Sequence, residues 1–377
     1  MIDFLEVRDK TRTLIGVIDT AKSIIWQTDY YGAGAFELYI GFTEELKNML
    51  KTDYFITRRD EKNAAIIESI EYTDTAAEGV MILVKGRMLK SILDRRLAYS
   101  IQAAHKLKPV RVSGNVATAV QNVVAAQAGE NAPDSYRRMS ITRGSNGGIT
   151  KVIKTGTETE ENSSRQSTYQ NLLDFTDGIL QDCECGALMR IDPESKKIYY
   201  DCFEGVDRSV DNTGGNIPVT FSQDFDNLLS ADYTVDTTTL KNWALIGGEG
   251  EGYNRFYSIY SENSSTGFDR REIFINAQNM PKHYDNSGTE QEYTDAEYDI
   301  MLKGRAQTDL KERVLTESFE GEINLEYSPY KYGVDFWLGD VVTIQDNRLG
   351  LYINVRIISA TEIQDDSGYQ LIINFEK

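Results

Sequence analysis

The sequence predicts a mainly β protein that carries α+β insertions. Alternating apolar and polar residues fill much of the first hundred and the last sixty positions, as expected for strands with one buried face. Four separate segments show apolar residues at helical spacing. The 22 tyrosines and 6 prolines agree with this class, because tyrosine is favoured in strands and proline interrupts them. At 377 residues the chain is long enough for two or three domains.

The first hundred residues contain a series of predicted strands and one short helix. The strands are expected at 36–40, 66–72 and 80–84. The polar residues between the last two strands end in Gly79, which indicates a hairpin. Residues 88–96 carry apolar side chains at helical spacing and predict the helix; these side chains are Leu89, Ile92 and Leu93.

The middle of the chain predicts two helices and a hairpin. The first helix covers 113–129, with Ser113 as a possible N-cap. A long polar loop over 131–166 follows, with a strand expected at 149–154. Ser167 and Gln170 have the spacing of a capping box and predict the start of the second helix. Its expected apolar face is Tyr169, Leu172, Leu173, Thr176 and Leu180, and the hairpin is expected from strands 187–191 and 197–203.

The last 160 residues return to β structure around one further helix. Strands are expected over 214–280, and a second capping box, Thr294 with Glu297, predicts a helix. The apolar positions of this helix are Tyr298, Leu302, Ala306, Leu310 and Val314. The chain closes with strands 351–363 and 369–375, and the buried face of the second is expected to be Tyr369, Leu371, Ile373 and Phe375.

The final strand should pair within the second half of the chain. We expect its neighbours within 204–241 or 317–350, and not within the first hundred residues. Deleting 369–377 would then expose a sheet edge in the second half, while 1–100, built from a separate stretch, would remain folded.

Composition excludes several classes of function. A net charge of −19 argues against a general nucleic-acid binder and against docking on an anionic membrane. No apolar run approaches the roughly 18 residues of a membrane span, and the acidic N-terminus does not read as a secretion signal. Three cysteines leave one unpaired in any disulfide scheme, which favours a reducing compartment.

Residues with catalytic or metal-binding potential are few. The two histidines, His105 and His283, stand alone, and no phosphate loop, zinc-protease or nucleophile-elbow motif is present. The best metal candidate is the set Cys183, Cys185 and Cys202, because a C-x-C spacing points both thiols to one face of a strand. Its alternative is a set of reduced, buried thiols. Asp224 with Asp226, and Asp365 with Asp366, are expected to be solvated turn residues.

Two arginine clusters and three tryptophans leave alternatives open. The segments 207–209 and 269–272 each place arginine among acids, either as ion pairs across a subunit or domain interface or as local surface pairs. Trp26, Trp243 and Trp337 each lie in an apolar strand pattern, which favours core packing over a carbohydrate-binding surface.

Several motifs, taken in order, resemble one family across nearly the whole chain. They are Y-Y-G-A-G-A-F-E-L at 30–38, V-K-G-R-M-L at 84–89 with Leu93 and 95–96, E-G-V-D-R-S at 204–209 followed by 219–222 and 227–228, D-R-R-E at 269–272, and Y-G at 332–333 with L-G-D-V-V at 338–342. In this order they resemble the tail-tip, or baseplate, hub proteins of long-tailed phages and prophages. That family is similar to the trimeric hub of contractile tails.

The resemblance implies a fold of two antiparallel β-barrels with two smaller inserted domains. The first barrel would be 1–100 and the second 204–241 with 317–377; the α+β insertions would be 101–203 and 242–316. Three chains would form a ring that adapts a three-fold tip to the six-fold tail tube and closes the channel until genome passage.

The resemblance also implies the partners and the location. The partners would be two further copies, distal tail or tube proteins, the tape measure protein and further tip or fibre proteins, with DNA passing unread and no membrane anchor. The chain would be made in the bacterial cytoplasm and reside in the virion tail. We expect no enzyme activity, no catalytic, cofactor-binding or metal-binding residue, and no cofactor. Because the chain ends six residues beyond Leu371, an appended enzyme would be on another chain. The alternative is a cell-wall hydrolase or a carbohydrate-binding tail component.

Overall fold

A computed structural model describes residues 2–103, 106–153, 165–286, 289–324 and 327–377. The chain forms two compact units, which are described separately. The larger contains the described residues up to 153, then 165–232 and 319–377; the smaller contains those of 233–318. In these described ranges, no helix combines the length and the apolar character needed to cross a membrane.

The first part of the chain is a run of strands, as predicted. These are β1 (Leu5–Arg8), β2 (Leu14–Ile18), β3 (Ser23–Asp29), β4 (Ala35–Gly41), β5 (Phe55–Thr57), β6 (Ala65–Thr75) and β7 (Gly79–Met88), with helix α1 (Glu44–Met49) after β4. The hairpin of β6 and β7 is confirmed. The helix expected at 88–96 is a 3-10 helix, Leu89–Arg95, and it buries its three predicted apolar side chains.

The middle segment packs helices α2 (Val116–Gln127) and α3 (Leu172–Asp182) against a small sheet. The strands of the segment are β8 (Leu97–Ala98), β9 (Ser100–Ala103), β10 (Lys106–Lys108), β11 (Val110–Val112), β12 (Ile141–Arg143), β13 (Arg165–Ser167), β14 (Gln170–Asn171), β15 (Gly186–Ile191) and β16 (Ile198–Phe203). The small sheet consists of β12, β16 and β15, and the other strands form the separate pairs β9–β10, β11–β13 and β8–β14. The predicted hairpin is confirmed as β15 and β16, and β12 adds to it in parallel. The apolar sides of these elements form one core cluster.

Both helix starts in this segment differ from the prediction. Helix α2 is capped by Asn115, whose side chain accepts the N–H of Thr118, and not by Ser113. Helix α3 is capped by Asn171. The Ser167 hydroxyl does accept the N–H of Gln170 at 3.0 Å, but pairing of β14 with β8 keeps the chain extended there.

Two smaller expectations for this segment are also corrected. Tyr169, placed on the apolar face of the second helix, precedes the helix and is exposed. The strand expected over 149–154 is absent from its described part, 149–153, where Val152 makes one isolated bridge to Asn115.

The remaining strands and one helix complete the chain. The strands are β17 (Thr220–Ser222), β18 (Leu228–Asp236), β19 (Trp243–Gly247), β20 (Tyr257–Ser261), β21 (Glu272–Asn276), β22 (His283–Asn286), β23 (Thr289–Glu292), β24 (Thr316–Ile323), β25 (Val341–Asp346), β26 (Leu351–Asp365) and β27 (Gly368–Glu376). Helix α4 (Asp295–Lys311) begins with the predicted capping box of Thr294 and Glu297. It buries the predicted apolar residues except Val314, which lies beyond its end and is exposed. Four short 3-10 turns are Ser135–Arg137, Gln223–Phe225, Gly252–Asn254 and Gly267–Asp269.

One large sheet joins the N-terminal and C-terminal strands. Its order is β18-β24-β27-β26-β3-β4-β7-β6-β5-β1-β2, with β25 pairing β26 and β17. The last strand, β27, lies between β24 and β26, so its predicted pairing is confirmed, and Leu371, Ile373 and Phe375 are buried. The independence expected for 1–100 is wrong, because the second half of β26 pairs with β3. Among the described residues, no ladder joins the two ends of this strand order, β18 and β2, so the sheet is not closed. The two-barrel arrangement therefore stays a prediction.

In the smaller unit, helix α4 covers one face of a three-stranded sheet. The strand order is β20-β19-β21, with β19 antiparallel to β20 and parallel to β21. Alternate residues of β19 and β21 pack with the helix in a compact cluster that contains Ala244, Ile246, Ile275, Tyr298 and Leu302. The other face of this sheet therefore points away from the core of the unit.

Candidate functional site

Three of the sequence motifs meet around Tyr30 in the larger unit. We call this cluster the Tyr30 junction; it comprises Tyr30, Glu184, Gly205, Arg208, Gly339, Asp340 and Arg356. It joins the end of β3 to the segments 204–208 and 339–341, which are far apart in the sequence. The motifs that carried the family resemblance are thus positions where separate strands are tied together.

Tyr30 is fully buried at the centre of this junction. Its hydroxyl donates to the carbonyl of Glu184 at 3.0 Å and accepts the N–H of Gly205 at 3.2 Å. The guanidinium of Arg356 lies 5.7 Å from the ring centroid and donates to the carbonyl of Gly339 at 2.8 Å. Burial raises the pKa of Tyr30, so the phenol stays neutral and keeps both hydrogen bonds.

The two glycines of the junction are required by close approach. Gly339 has a φ of 88°, and a Cβ there would lie 2.3 Å from the ring of Tyr30. A Cβ at Gly205 would lie 1.7 Å from the carbonyl oxygen of Gly339. Backbone passes so near to backbone and ring that any side chain would force the segments apart.

Asp340 connects the segment 339–341 to the segment 204–208 of the junction. Its Oδ1 accepts the N–H of Val206 at 2.7 Å, and its Oδ2 accepts from Arg208 Nε and from the N–H of Trp337, both at 2.9 Å. The carboxylate is buried while Arg208 is partly exposed. Arg208 therefore makes a contact that joins distant segments of one unit, instead of a loose pair with its sequence neighbours.

In the second arginine cluster, Arg270 forms a local surface pair. Arg270 Nε lies 2.6 Å from Glu272 Oε1, and both side chains are exposed. The Arg270 guanidinium also covers the ring of Trp243 at 4.1 Å. Of the other tryptophans, Trp26 is buried beside Phe36, as predicted for the core, and Trp337 is half-buried.

The cysteines do not form the predicted strand pair. Cys183 follows the last residue of α3, and Cys185 precedes β15, with Glu184 between them in a left-handed conformation at φ 51°. All three thiols are free and buried, which favours the alternative of reduced core thiols. Burial raises the pKa of Cys185 to about 11 and that of Cys202 to about 12, which disfavours the thiolate that a metal would need.

The other candidates are dispersed. His105 lies outside the described residues, and His283 is exposed in β22. Asp365 accepts the N–H of Ser367 at 2.8 Å in the turn before β27, which confirms its expected turn role. Across the ranges that the structure describes, no three metal-ligating side chains form a group able to hold an ion.

A cleft of about 710 Å³ in the larger unit contains a glutamate that sequence reasoning missed. Glu6 is buried, and its two oxygens are occupied by Arg8 Nη2 at 2.5 Å and Arg59 Nε at 2.9 Å. Burial raises the pKa of Glu6, but the hydrogen bonds from these arginines outweigh it and hold the pKa below the usual value. A carboxylate paired in this way is a weak base, because both arginines stabilise its ionised form.

Glu61 lines the same cleft with a pKa that burial raises. A carboxyl of this kind in a cleft is where an acid catalyst would be sought. Here its Oε1 accepts the backbone N–H groups of Lys62 at 2.7 Å and Asn63 at 3.0 Å. Glu61 thus stabilises the turn before β6. The charge of Glu6, the other glutamate in the cleft, is neutralised by Arg8 and Arg59.

A third charged cluster connects the C-terminal hairpin to the N-terminal strands. Arg58 is buried and donates to Glu362 at 2.8 Å and to Asp60 at 2.6 Å. The hydroxyl of Tyr369 donates to Glu362 at 2.6 Å. No sequence motif marks this cluster, because Arg58 and Glu362 lie 304 positions apart.

Two solved structures with the same fold are tail proteins. A tail protein from Neisseria meningitidis MC58 superimposes with a TM-score of 0.55 at 12% identity, covering 99% of this chain and 96% of that one. A 43 kDa tail protein of prophage MuSo2 from Shewanella oneidensis gives 0.55 at 10% identity, covering 99% and 98%. At such identities the likeness shows the fold alone. No curated protein sequence matches the chain.

The family is shown by sequence. A family model described as Siphovirus ReqiPepy6 Gp37-like protein matches residues 4–375, which is almost the entire chain. The match includes both strands of the C-terminal hairpin and every segment of the Tyr30 junction. The chain therefore belongs to the family of siphovirus ReqiPepy6 Gp37-like proteins.

Proposed function

We propose that this chain is the structural hub of a phage or phage-like tail tip. The observation that carries the proposal is the match of a siphovirus family model over residues 4–375. The fold of two tail proteins, shared over almost the full length of each chain, supports it. The sites described above are consistent with a role in assembly, since their charged and polar groups are used to tie segments together.

In this proposal three copies form a ring at the end of the tail tube. The two barrel-like parts of each chain, 1–100 and 204–241 with 317–377, would present six similar modules to a six-fold tube. The two insertions, 101–203 and 242–316, would face neighbouring proteins. The partners would be distal tail or tube proteins, the tape measure protein and further tip or fibre proteins.

The ring would close the channel until genome passage and then let DNA through. Each copy has a net charge of −19, so a ring of three carries a strongly negative wall. Such a wall repels the phosphate backbone at short range and keeps the passing DNA from binding, within roughly 8 Å at physiological salt. Recognition of a DNA sequence has no part in this role.

The proposed role needs no catalysis by this chain. Glu6 is neutralised by two arginines, and Glu61 is held by backbone N–H groups. The buried thiols of Cys185 and Cys202 are protonated at neutral pH because burial raises their pKa. Cell-wall cleavage would accordingly be the work of another tail component.

A complementation experiment tests the proposal. Particles produced without this chain should have heads but lack completed tails, and the wild-type chain supplied in trans should restore them. Glu6→Gln and Glu61→Gln variants should also restore infectivity. Normal tails without the chain would contradict a hub role, and complete but non-infective tails from Glu61→Gln would indicate an enzyme.

A further inference from the structure

The face of the three-stranded sheet that lies opposite α4 is apolar and aromatic. We call it the aromatic face; it consists of Trp243 and Leu245 on β19, Tyr257 and Ile259 on β20, and Phe274 on β21. The register places Ile259, Leu245 and Phe274 in one row across the three strands. These residues alternate with the ones that pack on α4, so this second apolar face is not part of the core of the smaller unit.

Large side chains on this face are open to solvent. Tyr257 is 50% exposed, Ile259 54% and Phe274 51%. Two more aromatic rings, Tyr253 and Phe268, are fully exposed on the turns that flank the sheet. A contiguous apolar patch of this kind on a soluble chain marks an interaction surface.

Arginine guanidinium groups lie over the rings of the aromatic face. The guanidinium of Arg255 lies 5.5 Å from the ring centroid of Phe274 and 5.9 Å from that of Tyr257. It donates to the carbonyls of Gly247 at 2.7 Å and Gly248 at 3.0 Å. Among the described residues, no carboxylate forms an ion pair with Arg255. Within the part of the chain that the structure describes, the face therefore presents a fixed cation without a paired carboxylate, in a chain whose net charge is −19.

The same arrangement argues against a sugar as the occupant. Sugars stack on open ring faces, whereas the rings of Trp243, Tyr257 and Phe274 each have a guanidinium over them. Aromatic residues together with arginine, around an aliphatic centre, are instead the composition of protein interfaces. The unneutralised charge of Arg255 favours an acidic protein surface.

We propose that the aromatic face binds a second copy of this chain, at the end of the hairpin formed by β6 and β7. The proposal rests on the ring put forward above and identifies one of its contacts. The two surfaces differ, so the contact is head-to-tail, and contacts of that kind close into rings when the rotation between copies allows it.

The end of that hairpin has the matching chemistry. All residues of 71–80 are exposed, and none of them is lysine or arginine. Tyr72 is 47% exposed and Val80 38%, so the segment also offers apolar contact area. Of its three acids, Glu78 is paired with Lys22. The other two carboxylates are those of Glu71 and Asp74.

The test measures self-association of the purified full-length chain. Sedimentation velocity is run over a wide range of protomer concentrations, because the fraction of associated chains rises with concentration. Ile259→Lys places a charge in the central row and should weaken association at least about 30-fold, as expected for a hot-spot position. Arg255→Glu and Asp74→Arg should each weaken self-association about tenfold. A double variant that carries both charge reversals should associate like the wild type.

Controls distinguish a loss of the proposed contact from a folding defect, and a failure of this contact from a failure of the ring. Tyr136→Ser removes an exposed aromatic ring of the larger unit, outside the aromatic face, and should associate like the wild type. Unchanged circular dichroism establishes that each variant is folded. If the wild type forms trimers and Ile259→Lys does so equally, this inference is overturned and the ring stands.

Two other outcomes also decide the question. If the charge reversals weaken association but their combination does not restore it, the acidic hairpin is not the surface that binds. If the wild type remains monomeric up to its solubility limit, the aromatic face does not bind a second copy. The number of copies in assembled tails then tests whether the chain forms a ring of three.

Discussion

Replacing Asp340 by alanine is the sharpest test of the Tyr30 junction. The carboxylate accepts hydrogen bonds from the backbone N–H groups of Val206 and Trp337 and from the Arg208 guanidinium. Alanine removes all three acceptor contacts and leaves the donors without partners. The junction should then loosen where the segments 204–208 and 339–341 meet.

The cost follows from the burial of the Asp340 carboxylate, while its three donors are only partly buried. Breaking a buried ion pair by removing one partner costs about 3–5 kcal/mol, and each orphaned buried N–H adds to it. Arg208 is partly exposed, so water can replace part of its lost contact. We therefore expect Asp340→Ala to lower the free energy of unfolding of the larger unit by about 3 kcal/mol. That is a large fraction of the roughly 5–15 kcal/mol of a typical domain.

Urea unfolding followed by far-UV circular dichroism measures this change. Asp366→Ala is the matched control, since it removes the same charge from an exposed turn and should change stability by less than about 0.5 kcal/mol. A double-mutant cycle with Arg208→Ala isolates the ion pair. If Asp340→Ala costs no more than the control, the junction does not hold these segments together.

Three further predictions concern the thiols, the C-terminal strand and an acid-sensitive pair. Cys185 and Cys202 should resist alkylation at mildly alkaline pH in the native protein and react on unfolding, because burial raises their pKa to about 11 and about 12; rapid native labelling would contradict this. Deleting Tyr369–Lys377 removes three buried apolar side chains worth roughly 1.5–3 kcal/mol each and unsettles β26, which also pairs with β3. Limited proteolysis should therefore leave no stable fragment of 1–100, and such a fragment would refute the shared sheet. The pKa of Glu6 is held below its usual value, so its ionised form stabilises the fold at neutral pH and that contribution is lost as the pH falls through the folded pKa. Glu6→Gln should thus be less stable than the wild type at neutral pH, with the difference shrinking in acid; a difference that is constant with pH would exclude this origin.

Local features were predictable because neighbouring residues determine them. The capping box of Thr294 and Glu297 and the hairpin of β6 and β7 follow from spacing within a few positions. The start of α3 shows the limit of such reasoning. Ser167 forms the hydrogen bond that its motif predicts, yet pairing of β14 with β8, some 70 residues away, delays the helix by one turn.

The features that tie the fold together were not predictable, because they are long-range. Tyr30, Gly205 and Gly339 lie in motifs that the sequence analysis identified. Their contacts with one another form only where three segments distant in sequence meet. The pairing of β26 with β3 depends on the length of β26, whose two halves have different partners. The sequence predicted strands over 214–280, but it did not indicate which face of β19 to β21 helix α4 would cover.

A reconstruction of the assembled tail tip tests the central claim most directly. The account predicts three copies of this chain in a ring around the channel, below the last six-fold layer of the tube. In that ring the aromatic face of each copy should contact residues 71–80 of the next. A ring of six copies, two copies, or a tip without this chain would contradict the proposed hub.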